Sequence, residues 1–123
     1  MKLHTLFVCK SCSAILEHEE ADDRAEGNQL LLKLLEAQKN SACNLNIEAV
    51  GCLWTCDTPC CVTFTCQGKY TYHFVNLPVQ NIVLDLFQFS KLYRESKNGY
   101  ILPAKMPEQL KSNLLVRIPP VPD

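Results

Sequence analysis

VTFTCQGKYTYHFV, residues 62–75, is the stretch from which the fold is read. Two runs of β-branched and aromatic residues, VTFTC (62–66) and YTYHFV (70–75), flank the turn QGK. Such runs suit a pleated, half-buried surface, and a glycine between them supplies the backbone freedom that a tight reversal needs. We expect an antiparallel hairpin.

Upstream lies the densest chemistry of the chain. GCLWTCDTPCC, residues 51–61, holds Cys52, Cys56, Cys60 and Cys61 within eleven residues. Before it, LNIEAV (45–50) alternates apolar and polar residues and reads as a strand. GNQLLLKLLEAQ (27–38) brings Leu30, Leu31, Leu34 and Leu35 to one face at helical spacing, with Asn28 as its expected N-cap. The acidic segment 17–26 has no apolar face and reads as a solvated loop. LHTLFV (3–8) reads as a first strand running into Cys9-Lys-Ser-Cys12.

Downstream of the hairpin, residues 78–94 read as a second helix starting at Pro78. Ile82, Leu86, Phe89 and Tyr93 share its apolar face. The remainder, punctuated by prolines, is expected to be mostly extended or irregular. A strand–helix–strand unit, an antiparallel hairpin and a closing helix make an α/β domain.

Bulk properties narrow the function classes. A chain of 123 residues is one domain's length and buries a core without staples. The net charge of −1 and the lack of a basic tail argue against nucleic acid as a partner. No apolar run approaches bilayer length, and the N-terminus is too short and interrupted for a signal peptide. We therefore expect no membrane association and a cytoplasmic location. In that reducing compartment, eight cysteines point to metal or redox chemistry rather than to a disulfide framework.

Both cysteine groups follow an expected strand. Strands joined by a βαβ crossover run parallel, so their carboxyl ends share one sheet edge, where ligand sites of open α/β sheets gather. Cys9 and Cys12 are therefore expected near Cys52 and Cys56. Four thiolates suit tetrahedral zinc or an iron–sulfur cluster, and spacing alone does not choose between them. Cys43, Cys61 and Cys66 are read as structural. Trp54, inside the cysteine loop, is either a shield over the centre or an aromatic packed on the sheet edge. His4 and His73 are read as strand residues and His18 as a loop residue. The run Glu17, Glu19, Glu20, Asp22 and Asp23 is read as solvated surface, with a docking patch for a basic redox protein as the other reading. No hydrolytic constellation, phosphate loop or dinucleotide fingerprint is present, so no enzyme is expected. A thioredoxin-type dithiol at Cys9-x2-Cys12 ranks below the metal reading, because no helix start directly follows to lower a thiol pKa.

VGCLWTCDTPCCVTFTCQGKYTYHFVNL resembles the second half of the thioredoxin-like [2Fe-2S] ferredoxins. More closely, the chain is similar to a bacterial family known as predicted metal-binding, ferredoxin-like proteins. The matching pieces are VCKSC (8–12), CLWTCDTPC (52–60), GKYTYHFVNL (68–77), FSKLYRESKNGYILP (89–103) and LLVRIPP (114–120). This resemblance implies a thioredoxin-like domain over residues 1–103 with a tail over 104–123. It implies a [2Fe-2S] cluster on Cys9, Cys12, Cys52 and Cys56, and one-electron transfer to a redox protein partner, or sensing, as the activity. Zinc on the same four cysteines is the alternative. The first pair is closer in sequence than in the better-known ferredoxins, and the loop from 52 to 56 lacks their glycine. Cys60 is accordingly the substitute for Cys12. The resemblance also allows a homodimer, since thioredoxin-like ferredoxins often pair.

Overall fold

The computed structural model describes residues 3–9, 26–39, 45–50 and 60–120. Along the chain these form β1 (Thr5–Cys9), α1 (Glu26–Lys39), β2 (Asn46–Val50), β3 (Val62–Thr65), β4 (Thr71–Phe74), α2 (Val83–Glu95), a 3-10 turn (Pro103–Lys105), α3 (Glu108–Ser112) and β5 (Leu114–Ile118). One five-stranded sheet has the order β2-β1-β3-β4-β5. β1 and β2 are parallel, and the pairings β1–β3, β3–β4 and β4–β5 are antiparallel. The expected strand–helix–strand unit, hairpin and closing helix are all present.

Alternation along the strands sorts side chains to two faces. Leu6 and Val8 of β1, Val62 and Phe64 of β3, and Tyr72 and Phe74 of β4 enter one large buried cluster. Leu30, Leu31 and Leu34 of α1 join it, as do Ile82, Leu86, Phe89 and Tyr93 around α2. Both helices therefore clothe the same face of the sheet. Aromatic rings fill its centre, with Phe64 and Phe89 centroids 4.8 Å apart and Tyr72 and Phe89 centroids 5.0 Å apart in an edge-on arrangement. Burying such rings stabilises by about 1.5–3 kcal/mol each relative to exposure. The other face carries Thr5, Phe7 and Cys9 on β1, in register with Thr65, Thr63 and Cys61 on the β3 side.

Three local expectations are corrected. α1 begins at Glu26, so Asn28 lies inside its first turn and is not its N-cap. α2 begins at Val83 rather than Pro78: the chain turns at 79–81, and the first α2 bond runs from Leu86 N–H to Ile82 O at 2.9 Å. Proline fits a turn as well as a first helical turn, and here Leu77 and Val79 are drawn into the core ahead of the helix. The tail is more ordered than its prolines suggest. Met106 and Leu110 are buried in the main cluster, which anchors α3. β5 then pairs along β4 with a register shift between His73 and Phe74.

The segment after α2 is tied back to the hairpin. Tyr72 Oη donates to Gly99 O at 2.7 Å and accepts from Ile101 N–H at 3.1 Å. Tyr70 N–H donates to Asn98 O at 2.9 Å, and Tyr93 Oη donates to Tyr70 O at 2.5 Å. Buried polar groups need such partners, since each one left unsatisfied costs about 1–3 kcal/mol.

Candidate metal centre

Cys9 is the last residue of β1 and is only 1% exposed. Its position follows from the strand pattern. Leu6 and Val8 are claimed by the helix-side core, so Phe7 and Cys9 fall on the opposite face. The parallel register places Cys9 beside Val50, the last residue of β2. Cys52 follows Val50 by two residues. Cys12, Cys52 and Cys56 lie outside the described residues, as do Cys43, Trp54, His18 and the acidic run 17–23. Among the described residues, no group of three or more histidine, cysteine, aspartate or glutamate side chains converges as a metal site. The donor chemistry available around Cys9 nonetheless fits a thiophilic metal. It is a buried thiol at the carboxyl end of β1, beside the end of β2.

The two adjacent cysteines that precede β3 part company. Cys60 is wholly buried in the helix-side cluster, and its backbone exchanges two hydrogen bonds with Leu77, at 3.3 and 3.1 Å. Cys61, also wholly buried, packs with Cys9 in a separate small cluster against Val75. Cys9 N–H donates to Cys61 O at 3.2 Å, which extends the β1–β3 ladder by one pair beyond Val8–Val62. Cys66, at the hairpin turn, belongs to the main core. All four are buried.

His73 lies on the same face as Cys61, one row along the sheet. Its Nδ1 is 2.8 Å from Thr63 Oγ1, and burial lowers its pKa below the usual histidine value. His4 has a different role from a plain strand residue. Its Nε2 accepts from Lys69 Nζ at 2.8 Å. Lys69 is 6% exposed, and its ammonium also donates to Tyr93 O at 2.7 Å and Arg94 O at 3.3 Å. A cation at the carboxyl end of α2 is favoured by the helix dipole and by the carbonyls the last turn leaves over. The sequence reading did not single out Lys69. Its only signal is a lysine directly after the turn glycine, ahead of an apolar strand. Tyr93 beside it is pushed well above the usual phenol pKa by burial, then by the nearby Cys66 and Tyr72.

Among the described residues, no helix is long and apolar enough to cross a membrane. Residues 6–120 match the model of a family described as protein of unknown function (DUF1636). No curated protein matches the chain. Among solved structures, the chain is similar to a thioredoxin-like [2Fe-2S] ferredoxin from Aquifex aeolicus. The two are 13% identical with a TM-score of 0.59, and the match covers 94% of this chain and 92% of that one. At that identity the likeness speaks for the fold: a thioredoxin-like α/β arrangement with a βαβ unit, an antiparallel hairpin and a closing helix, as expected above.

Proposed function

The chain belongs to the DUF1636 family, and from that premise we propose that it is a small ferredoxin-like iron–sulfur protein and not an enzyme. In this reading Cys9, Cys12, Cys52 and Cys56 hold a [2Fe-2S] cluster. When bound, the cluster supplies one-electron oxidation and reduction, used for transfer to a redox protein or for sensing. The observation that carries the reading is Cys9 itself, a thiol buried at the carboxyl end of β1 in parallel register with the strand that leads to Cys52. The similarity in fold to a [2Fe-2S] ferredoxin supports it.

The chain's own part would be to hold thiolates in fixed positions and keep water from them. Burial and hydrogen bonds near the sulfurs set the potential of such a centre. Cys61, just ahead of β3, and Val75, just after β4, pack with Cys9, which serves that end.

The test is composition. Protein purified without oxygen is expected to be red-brown, with iron and acid-labile sulfide at about two of each per chain. Cys9→Ser is expected to remove most of the visible absorption while the far-ultraviolet circular dichroism stays that of an α/β protein. A colourless protein holding one zinc overturns electron transfer and leaves the same cysteines as a zinc or metal-handling site.

A further inference from the structure

Cys9 and Cys61 stand directly opposite each other on antiparallel backbone, joined by a backbone hydrogen bond, with both side chains on the face away from the helices. We infer that they form a redox dithiol that closes into a cross-strand disulfide and so governs whether Cys9 is available to a metal.

The geometry is that of a bridgeable pair. Facing residues in a hydrogen-bonded antiparallel pair have Cα atoms about 5.5 Å apart. A disulfide spans Cα separations of about 4.4–6.8 Å but draws the Cβ atoms to about 3.5–4.5 Å, closer than the roughly 5.5 Å of a hydrogen-bonded pair, so closure pulls the two strand ends together. Cys60 is excluded as the partner of Cys9. It is next to Cys61 in sequence, but its side chain is packed in the helix-side core, and the sheet lies between. Alternation thus gives Cys9 one near thiol among the described residues and withholds the other. Both thiols are buried in the closed sheet, so oxidation proceeds from the opened strand ends: the pair sits at the end of β1 and just ahead of β3, where a ladder opens more readily than at its middle.

The chemistry balances with hydrogen peroxide as oxidant. One sulfur attacks a peroxide oxygen, the O–O bond breaks, and water leaves, giving a sulfenic acid. The second sulfur displaces that hydroxyl as a second water while the S–S bond forms. Two thiols lose two electrons to one peroxide. In the disulfide, Cys9 has no thiolate to offer. Metal loading therefore waits until a dithiol reductant reopens the pair. This gate rests on the metal reading proposed above, whereas the pairing itself does not.

The experiment uses the whole chain, freed of metal by chelation and reduced. Hydrogen peroxide is added, and tryptic peptides are mapped by mass spectrometry without reduction. Trypsin separates Cys9 (residues 3–10) from Cys12 (11–24) and leaves Cys61 within 40–69. We expect a cross-link between 3–10 and 40–69 that survives in Cys60→Ala and disappears in both Cys61→Ala and Cys61→Ser. All variants are checked for native thermal melts. A link from 3–10 to 11–24, or one that persists without Cys61, overturns the pairing. Cadmium is the probe for the gate. Uptake is expected in reduced protein, is lost on oxidation, and returns with dithiothreitol. Undiminished uptake by the bridged protein overturns the gate. If the bridge forms and the reduced protein also takes no cadmium, the gate falls together with the metal reading and the pairing stands.

Discussion

Gly99 occupies a position that no other residue fits. Its φ is +81°, and a Cβ there would come within 2.8 Å of both Lys69 Cβ and Tyr70 N. The conformation is one that L side chains rarely adopt, and one of the crowding atoms is backbone, which cannot swing aside. Gly99→Ala is therefore expected to destabilise the fold by about 1–3 kcal/mol, read from urea unfolding at constant m-value. In the sequence this glycine stands in SKNG, between the second helix and the proline-punctuated remainder. Its real constraint is the approach of residues 69 and 70, some thirty positions earlier, which no local pattern reveals. The cysteines are a similar case. The strand pattern brought Cys9 to a sheet edge, but Cys60 and Cys61 lie ahead of the expected strand 62–66, and only the structure shows its alternation continuing back through both. With a period of two, a shift of one residue exchanges their faces.

Among the elements, the long helices were legible because each sets apolar residues three or four positions apart on one face. Ile82, Leu86, Phe89 and Tyr93 are all fully buried, as their spacing requires. α3 escaped notice because five residues are too few for a period. Tertiary contacts hold it instead. Leu110 has no exposed surface, and Gln109 Nε2 donates to Asp85 Oδ2 of α2 at 3.3 Å. Leu110→Ala is expected to cost about 2–5 kcal/mol in the same unfolding assay, the range for emptying a core leucine site. Leu115→Ala on β5, where the side chain is 57% exposed, serves as the control and is expected to shift stability by under about 0.5 kcal/mol. β5 was hidden for another reason. LLVRI is apolar enough to be a strand, yet the two prolines after it argued for irregular chain. Here they mark the strand's end, where no further ladder bond is needed.

At the scale of the whole molecule, pH dependence follows from which groups resist charging in the folded state. Burial lowers the pKa of His73, so below its ordinary value of 6.5 the unfolded chain binds a proton that the folded chain does not. Stability then falls as pH drops from that point. Burial raises the pKa values of Tyr72 and Tyr93, so above their ordinary value of 10.0 the unfolded chain releases protons that the folded chain keeps. Stability falls again as pH rises. A plot of melting temperature against pH is expected to decline on both sides of a plateau, and His73→Gln should flatten the first part of the acid decline. Loss of the alkaline decline in a Tyr72→Phe variant alone would assign that limb to Tyr72 rather than Tyr93. The order of elements along the chain was enough to read an α/β domain. The closing of the sheet by a C-terminal strand was not, because it depends on a pairing between β4 and a segment some forty residues later.

The hydrogen bonds that Tyr72 makes with Gly99 and Ile101 bear on the order of folding. β3, β4, α2 and the segment that returns to Tyr72 form a unit of short sequence separation, stitched by its own bonds. Contacts of that kind form early, whereas β1 must cross some fifty residues to reach β3. We therefore expect Cys61 to be carried by the half that assembles first, and Cys9 by the β1–α1–β2 unit that docks onto it. The two sulfurs meet only when the sheet is complete, so their meeting is a mark of a finished molecule.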